Sequence, residues 1–351
     1  MSESRYHPLT PPTRQENTLV TMRQVAEHAG VSAKTVSRVV NKDRYVSDDV
    51  RRRVEEAIAE LQYTPNMLAR TFRFGRDPAI GVAVPDISDP FFAAVTHTVE
   101  QVARSRGVAT FVTSLGTDGT LERAGVEALL GRQIAGLIST PVSADQSYLE
   151  PWKSRTALVF IDRPPRRLTA DTVVEDDVGG AHAATTHLAG HGHRRIAYIG
   201  DEVQIATTRR RLEGYRAALG DAGIEPDEGL IRFAGAGGVA AGEDAAALLA
   251  GPNPPTAILS SNAKCSIAIV PALQRLDRTD VALVSFGDFP LASSLRPALT
   301  VVDQNPEALG RFAATRLFDR IDQPGRRLRR LTVLPVRLVE RESCGTLHPA
   351  I

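Results

Sequence analysis

Beyond residue 78 the chain repeats an alternation that few folds satisfy. Short apolar runs at 79–84, 110–113, 136–139 and 158–161 are separated by stretches of helical spacing that begin after Pro90 and near Asp118. Runs of this length, bounded by turn residues, are strands, and strands joined through helices rather than tight turns lie parallel. Right-handed crossovers then place the helices on the faces of the sheet. A second series follows, with strands at 196–199, 257–259 and 281–284 and helices near Ala181, Thr208, Gly242 and Ser266. Two such series imply two sheets, and so an α/β body of two lobes. A last helix at 307–321 and a strand at 331–337 close the pattern.

Residues 21–41 follow a different rule and predict two short helices around a tight turn. Thr21 and Gln24 form a capping box for the first, Gly30 supplies the left-handed residue that ends it, and Ser32 caps the second. Val25, Ala26 and Ala29 line one face of the first helix, and Val36, Val39 and Val40 line the matching face of the second. The outward face carries Lys34, Ser37, Arg38 and Asn41 at i, i+3, i+4 and i+7. Such a stripe reaches base edges when the helix lies in a DNA major groove, so the segment is an all-α helix-turn-helix. Ser47 is expected to cap a third helix whose Val50, Val54, Ala57, Ile58 and Leu61 close the core. Arg51, Arg52 and Arg53 start on its outer side, either as phosphate contacts or as a solvated face.

Charge separates the two parts. The net charge is only +1, yet residues 1–76 hold 13 Lys/Arg against 9 Asp/Glu, while the remainder holds 29 against 32. A basic head on a mildly acidic body suits a phosphate-binding module joined to a domain with another task. A chain of 351 residues is also too long for one ordinary core. No apolar run approaches the ~18 residues of a membrane helix, and the N-terminus lacks the order of a secretion signal, so a cytoplasmic protein is expected. Cys265 and Cys344 give neither a disulfide framework nor a metal spacing and are expected to be reduced thiols.

Several separated motifs resemble the lactose-repressor (LacI) family of bacterial transcription regulators. They run from Val31-Ser-Ala-Lys-Thr-Val-Ser-Arg-Val-Val-Asn41 through Tyr45-Val46-Ser47, Tyr63-Thr-Pro-Asn66 and Ala69-Arg70 to Pro85-Asp-Ile-Ser-Asp-Pro-Phe-Phe92. The resemblance continues at Phe160-Ile-Asp-Arg163, Gly190-His-Gly-His-Arg-Arg-Ile196, Arg211-Leu-Glu-Gly-Tyr215 and Arg337-Leu-Val-Glu-Arg-Glu-Ser343. It covers nearly everything after residue 18.

The resemblance implies a helix-turn-helix DNA-binding domain at 19–64, after a disordered tail at 1–18, with a hinge helix and linker at 65–77. A periplasmic-binding-protein-like body then spans 78–345, ahead of a short tail at 346–351. Its first lobe is expected at about 78–173 and 303–325 and its second at about 174–302 and 326–345. The implied function is a regulator, in this family most often a repressor, whose homodimer binds a near-palindromic DNA operator under control of a small-molecule effector, expected to be a sugar. Ala33, Lys34 and Arg38 are the expected base readers, with Ser37 and Asn41 nearer phosphates, and Thr21, Ser32 and Thr35 adding phosphate contacts. In the hinge, Asn66, Ala69 and Arg70 face DNA, and Phe72 stands where the family has a leucine wedged into a base step.

For the effector the resemblance transfers Asp89, Phe91, Asp162, Thr207, Arg211 and Asn262, with Asp288 as the acidic residue remaining in Ser285-Phe-Gly-Asp288, where the family usually has Gly-Phe-Asp-Asp. Ala263 also replaces a common acid, and Ala234-Gly-Ala-Gly-Gly238 replaces an aromatic wall. These departures suggest a roomier or less hydroxyl-oriented pocket.

Other signals point to no further chemistry. His182, His187, His191 and His193 cluster, and two of them have the i, i+4 spacing of metal ligands, but no nearby carboxylate or cysteine completes a site. A structural role at a helix end is expected, with no metal and no cofactor. The glycines from Gly235 to Gly242 lack a phosphate-loop pattern. No oriented Ser/His/Asp set or carboxylate pair suggests an enzyme. The alternatives are a binding protein whose cleft is the main activity, or a metabolic enzyme using it catalytically. No leucine heptad follows Ser343, which argues against a tetramer built on a coiled coil.

Overall fold

A computed structural model describes residues 21–40, 46–61, 79–235 and 238–345. The chain divides into two compact units, Met1–Gly75 and Arg76–Ile351. Asn41, Asn66, Ala69, Arg70 and Phe72 lie outside the described residues.

In the first unit α1 (Met22–His28), α2 (Ala33–Val40) and α3 (Asp48–Glu60) pack around Val25, Ala26, Val36, Val39, Val54 and Ala57, all buried. The capping box forms: Gln24 N donates to Thr21 Oγ1 at 3.4 Å and Thr21 N donates to Gln24 Oε1 at 2.7 Å. Gly30 sits at φ +62, so the backbone calls for glycine, and a Cβ there would also displace the Arg53 guanidinium, 2.8 Å away. Two expectations are corrected here. Ser47 precedes α3 with extended backbone but makes no side-chain cap; Asp48 and Asp49 instead place negative charge at the positive end of the helix. Arg53 turns inward, donating to the Ala29 carbonyl at 2.6 Å, which satisfies an orphan acceptor at the end of α1.

The second unit contains two six-stranded sheets. Their strands are β1 (Ala79–Val84), β2 (Ala109–Ser114), β3 (Gly136–Ser139), β4 (Ala157–Ile161), β5 (Asp171–Glu175), β6 (Ile196–Gly200), β7 (Ile231–Phe233), β8 (Ala257–Ser260), β9 (Ala282–Phe286), β10 (Thr300–Asp303), β11 (Leu331–Leu334) and β12 (Arg337–Val339). The first sheet runs β11-β5-β4-β3-β1-β2 and the second β12-β10-β9-β8-β6-β7. Every pairing is parallel except β10 with β12. Parallel strands covered on both faces are continuous apolar runs, as β1 is, buried at every position.

Helices cover both faces of each sheet. On the first lie α4 (Pro90–Ser105) and α5 (Glu122–Leu130), joined late in the chain by α10 (Pro306–Asp322). On the second lie α6 (Asp177–Gly190) and α7 (Ala206–Asp221) on one face and α8 (Ala241–Leu249) and α9 (Ala263–Arg275) on the other. The chain passes between lobes after β5, after β10 and after β11. The third passage differs from expectation. The apolar run at 331–337 is two strands, and β11 pairs with β5 in the first sheet, so the return to the second lobe falls after Leu334 rather than near residue 326.

Candidate DNA-reading helix and effector cleft

Helix α2 is anchored by its buried valines, which leaves its other side outward. Ser32 Oγ accepts from Thr35 N at 3.1 Å and lies 2.8 Å from Thr35 Oγ1, so it caps the helix as expected. Ala33 and Lys34 are exposed, and Thr35, Ser37 and Arg38 are half-exposed. Thr21, exposed at the start of α1, presents the first amides of that helix. Of the three arginines of α3, Arg53 is engaged with α1, and Arg52 pairs with Asp49 at 2.7 Å.

The second constellation gathers where the carboxyl ends of the strands meet. Arg211 on α7 is 4% exposed. Its Nε donates to Asp177 Oδ1 at 2.8 Å, its Nη1 donates to the Ser261 carbonyl just past β8 at 2.6 Å, and its guanidinium lies 3.9 Å from the centre of the Phe286 ring at the end of β9. Asp162 follows β4, buried and left-handed at φ +68, a strained conformation for a residue with a side chain. Arg163 donates to it at 2.8 Å. Glu175 ends β5 at 0% exposed, and neither of its carboxylate oxygens has a hydrogen-bond partner among the described residues.

The electrostatics follow from that burial. Desolvation, reinforced by Asp162 and Asp177, pushes the Glu175 carboxyl well above its usual range. Burial also pushes Asp177 up to about 6, although Arg211 beside it acts the other way. Desolvation raises Asp89, half-buried at the start of α4, where its side chain accepts from Phe91 N at 2.9 Å. Phe91 stands edge-on to Phe92, their centroids 5.1 Å apart. Thr207, buried at the start of α7, lies one turn before Arg211. Open α/β sheets bind ligands at these strand ends.

Both parts of the chain have known relatives. Residues 21–66 match the lacI family of bacterial regulatory proteins, and residues 185–344 match a periplasmic binding protein-like domain. The ribose operon repressor of Escherichia coli (strain K12) is 32% identical over 331 residues, 93% of this chain and 100% of that protein. This chain belongs to the LacI family. A lac repressor dimer solved with operator and the anti-inducer ONPF superposes with a TM-score of 0.83 at 26% identity, covering 93% of this chain and 100% of that one. The regulator CelR in complex with cellobiose gives 0.67 at 29% identity, covering 92% and 99%.

Within this LacI-family body some expected residues meet and others do not. Asp162 and Arg211 share one electrostatic cluster, and Asp89 interacts with Asp162. Asn262 caps α9, accepting from Cys265 N at 2.9 Å. Asp288 departs from expectation: it is exposed and held by both Nη atoms of Arg341, near the C-terminal end of the second lobe, because Gly287 before it turns at φ +97 and carries the chain out of β9. A Cβ at Gly287 would lie 2.9 Å from Gln304 Oε1, so an acid at 287 would crowd the buried Gln304.

Glu175 and Asp177 were not anticipated, and neither was a bridge between the lobes. Lys264 Nζ, at the start of α9, donates to Asp86 Oδ2, just past β1, at 2.6 Å. The Lys264 ammonium and the Ser88 hydroxyl hold the Asp86 carboxyl down at about 2. Among the described residues no helix is long and apolar enough to cross a membrane.

Proposed function

We propose that the chain is a cytoplasmic transcriptional repressor that binds a near-palindromic operator as a homodimer, and that a sugar or related metabolite in the cleft between its lobes controls it. It acts by binding rather than by turnover. The observation that carries this reading is α2: a helix fixed by buried Val36 and Val39, with Ala33 and Lys34 exposed on its outer side, in a chain 32% identical to a ribose operon repressor over 93% of its length.

On this reading Ala33, Lys34 and Arg38 read bases, and Ser37, Asn41, Thr21, Ser32 and Thr35 hold phosphates. Asn66, Ala69, Arg70 and Phe72 act at the minor groove. An arginine suits a bidentate contact to guanine, worth about 1–3 kcal/mol of discrimination. Two heads match two half-sites, so operator symmetry mirrors the dimer. In the cleft, Arg211 and Asp162 offer hydroxyls a donor and an acceptor, Asp89 adds a second carboxyl, and Phe91 covers the C–H face of a sugar ring. Thr207 and Asn262 lie at the same strand ends; Asp288, turned toward Arg341, contributes least. The buried oxygens of Glu175 and Thr140 Oγ1, both unpartnered among the described residues at ends of the first sheet's strands, support a polar occupant. The ribose and cellobiose of the relatives' names support a sugar.

The test is selection of bound duplexes from a random DNA pool by wild type, Lys34→Ala and Arg38→Ala. A two-fold symmetric site that both variants blur at matching positions in each half is expected. Recovery of no motif at moderate salt rejects the operator reading.

A further inference from the structure

The four clustered histidines, expected to have a structural role at a helix end, divide into two pairs. His182 pairs with Asp221 at 2.8 Å, and His193 has both nitrogens occupied, Nδ1 against Thr256 Oγ1 at 3.0 Å and Nε2 against the Gly345 carbonyl at 3.2 Å. The other two are different. His187 Nε2 and His191 Nδ1 are both buried without a hydrogen-bond partner among the described residues. Their rings stand 4.5 Å apart on consecutive turns of α6. A buried polar atom without a partner is costly, so His187 Nε2 in particular calls for an occupant.

The third group comes from far along the chain. Glu340, directly after β12, brings Oε1 to 3.9 Å from His191 Nε2, and one donor atom from each of His187, His191 and Glu340 lies within 4.8 Å of the others. We propose that these three residues form a binding site for a divalent transition-metal ion of the zinc class. Imidazole nitrogens with one carboxylate are zinc donors, and three protein ligands leave a fourth tetrahedral position for water. Around an ion with bonds of about 2.0–2.1 Å, tetrahedral donors lie roughly 3.3 Å apart, so the set closes by rotation of the side chains. Glu340 has that freedom, its side chain being 63% exposed. His191 is also the C-cap of α6, where the helix dipole favours a cation. A bound ion would pin the end of α6 to the strand that follows the third passage between the lobes. The cleft end of the same helix carries Asp177.

The experiment uses tag-free, chelator-treated full-length protein titrated with Zn²⁺ against a colorimetric zinc indicator, and with Co²⁺ read by its visible absorption. Wild type is expected to take up one ion per chain and to show the intense cobalt bands of a four-coordinate site. His187→Ala and His191→Ala abolish both signals. Glu340→Ala, at an exposed position that leaves folding intact, weakens binding by at least about tenfold, since even outer partners of a metal ligand are worth about 10–100-fold. His97→Ala, an exposed histidine on α4, binds as wild type. No uptake by wild type overturns the proposal, as does uptake that Glu340→Ala and the two histidine variants leave unchanged.

Discussion

Replacing Arg211 with methionine tests the cleft where it is most tightly built. The guanidinium is held by Asp177 Oδ1 at 2.8 Å and the Ser261 carbonyl at 2.6 Å and lies over Phe286 at 3.9 Å. Methionine keeps much of the volume but takes from Asp177, 1% exposed, its buried and hydrogen-bonded counter-charge, leaving it beside Glu175 and Asp162 with only the more exposed Arg210 at 3.7 Å among the described residues. Removing one partner of a buried ion pair costs about 3–5 kcal/mol. For a body of this size that is a fall in Tm of about 6–20 °C. The loss carries a pH signature whose sign is set by the raised carboxyl. Asp177 rises from 3.8 to about 6 in the folded wild type, so the folded state keeps a proton that the unfolded chain has already lost. Stability therefore falls as pH rises from about 4 to about 6, and without Arg211 the fall continues to higher pH. The deficit of Arg211→Met should be largest at pH 8 and shrink toward pH 4.5, and adding Asp177→Asn should restore more than half of it. Thermal melts of the three proteins across that range decide the matter. A variant as stable as wild type at pH 8, or a deficit equal at both ends, would refute the reasoning.

Glu175→Gln should stabilise the protein at pH 8 by about 1–3 kcal/mol, because it removes a charge that burial without partners opposes. Since the carboxyl is raised well above 4.5 in the folded state, the gain should shrink as pH falls and vanish only below about pH 4, where folded and unfolded chains both hold the proton; urea melts showing equal gain at pH 8 and at about pH 3.5 would contradict this. Lys264→Met removes the 2.6 Å bridge to Asp86, whose side chains are 28% and 33% exposed. Such a pair is worth up to about 1 kcal/mol, enough to shift an opening equilibrium about fivefold. Small-angle scattering of the ligand-free protein should show a larger radius of gyration, and an unchanged radius would mean that the bridge does not bias the lobes.

What the sequence made legible depends on how far the deciding contact lies from the residue. The central strands β1, β3, β4, β6, β8 and β9 are predominantly apolar because both faces are covered, with only Ser139, Ser260 and Ser285 breaking the runs, and burial of that kind is written locally. Strands β5, β7 and β10 escaped. β5 is bracketed by Asp171 and Glu175, β7 is three residues long with Arg232 at its centre, and β10 ends in Asp303. Among the described residues the cations that pair with Asp171 are Arg316 and Arg320, on α10 nearly 150 residues later. The head shows the same division, since the Thr21 and Ser32 caps involve neighbours three residues away, whereas the inward turn of Arg53 depends on a carbonyl 24 residues earlier.

The site follows this rule and adds one of its own. Arg211, Asp162 and Asp89 could be named because the family resemblance carried their motifs over, and the structure has them at helix starts and strand ends, where open sheets put ligands. Glu175-Asp176-Asp177 looks like a solvated run opening a helix, and Asp176 does cap α6, accepting from Gly179 N at 3.0 Å. Its neighbours are buried because the chain changes lobes at this point, so both flanks of the run are covered by different sheets. The local sign was an acidic triplet placed directly against the apolar pair Val173-Val174, where a surface run would have been set off by turn residues. Buried carboxylates also differ by what donates to them: Glu122, 1% exposed, accepts from Val142 N at 2.6 Å, Gln146 Nε2 at 3.0 Å and Tyr148 OH at 3.0 Å, whereas Glu175 accepts from none among the described residues. Periodicity reports that a position is covered; whether a covered acid is a structural brace or waits for a ligand is decided by donors that only the folded chain brings together. That distinction makes Glu175 rather than Glu122 the acid to mutate when an effector is sought.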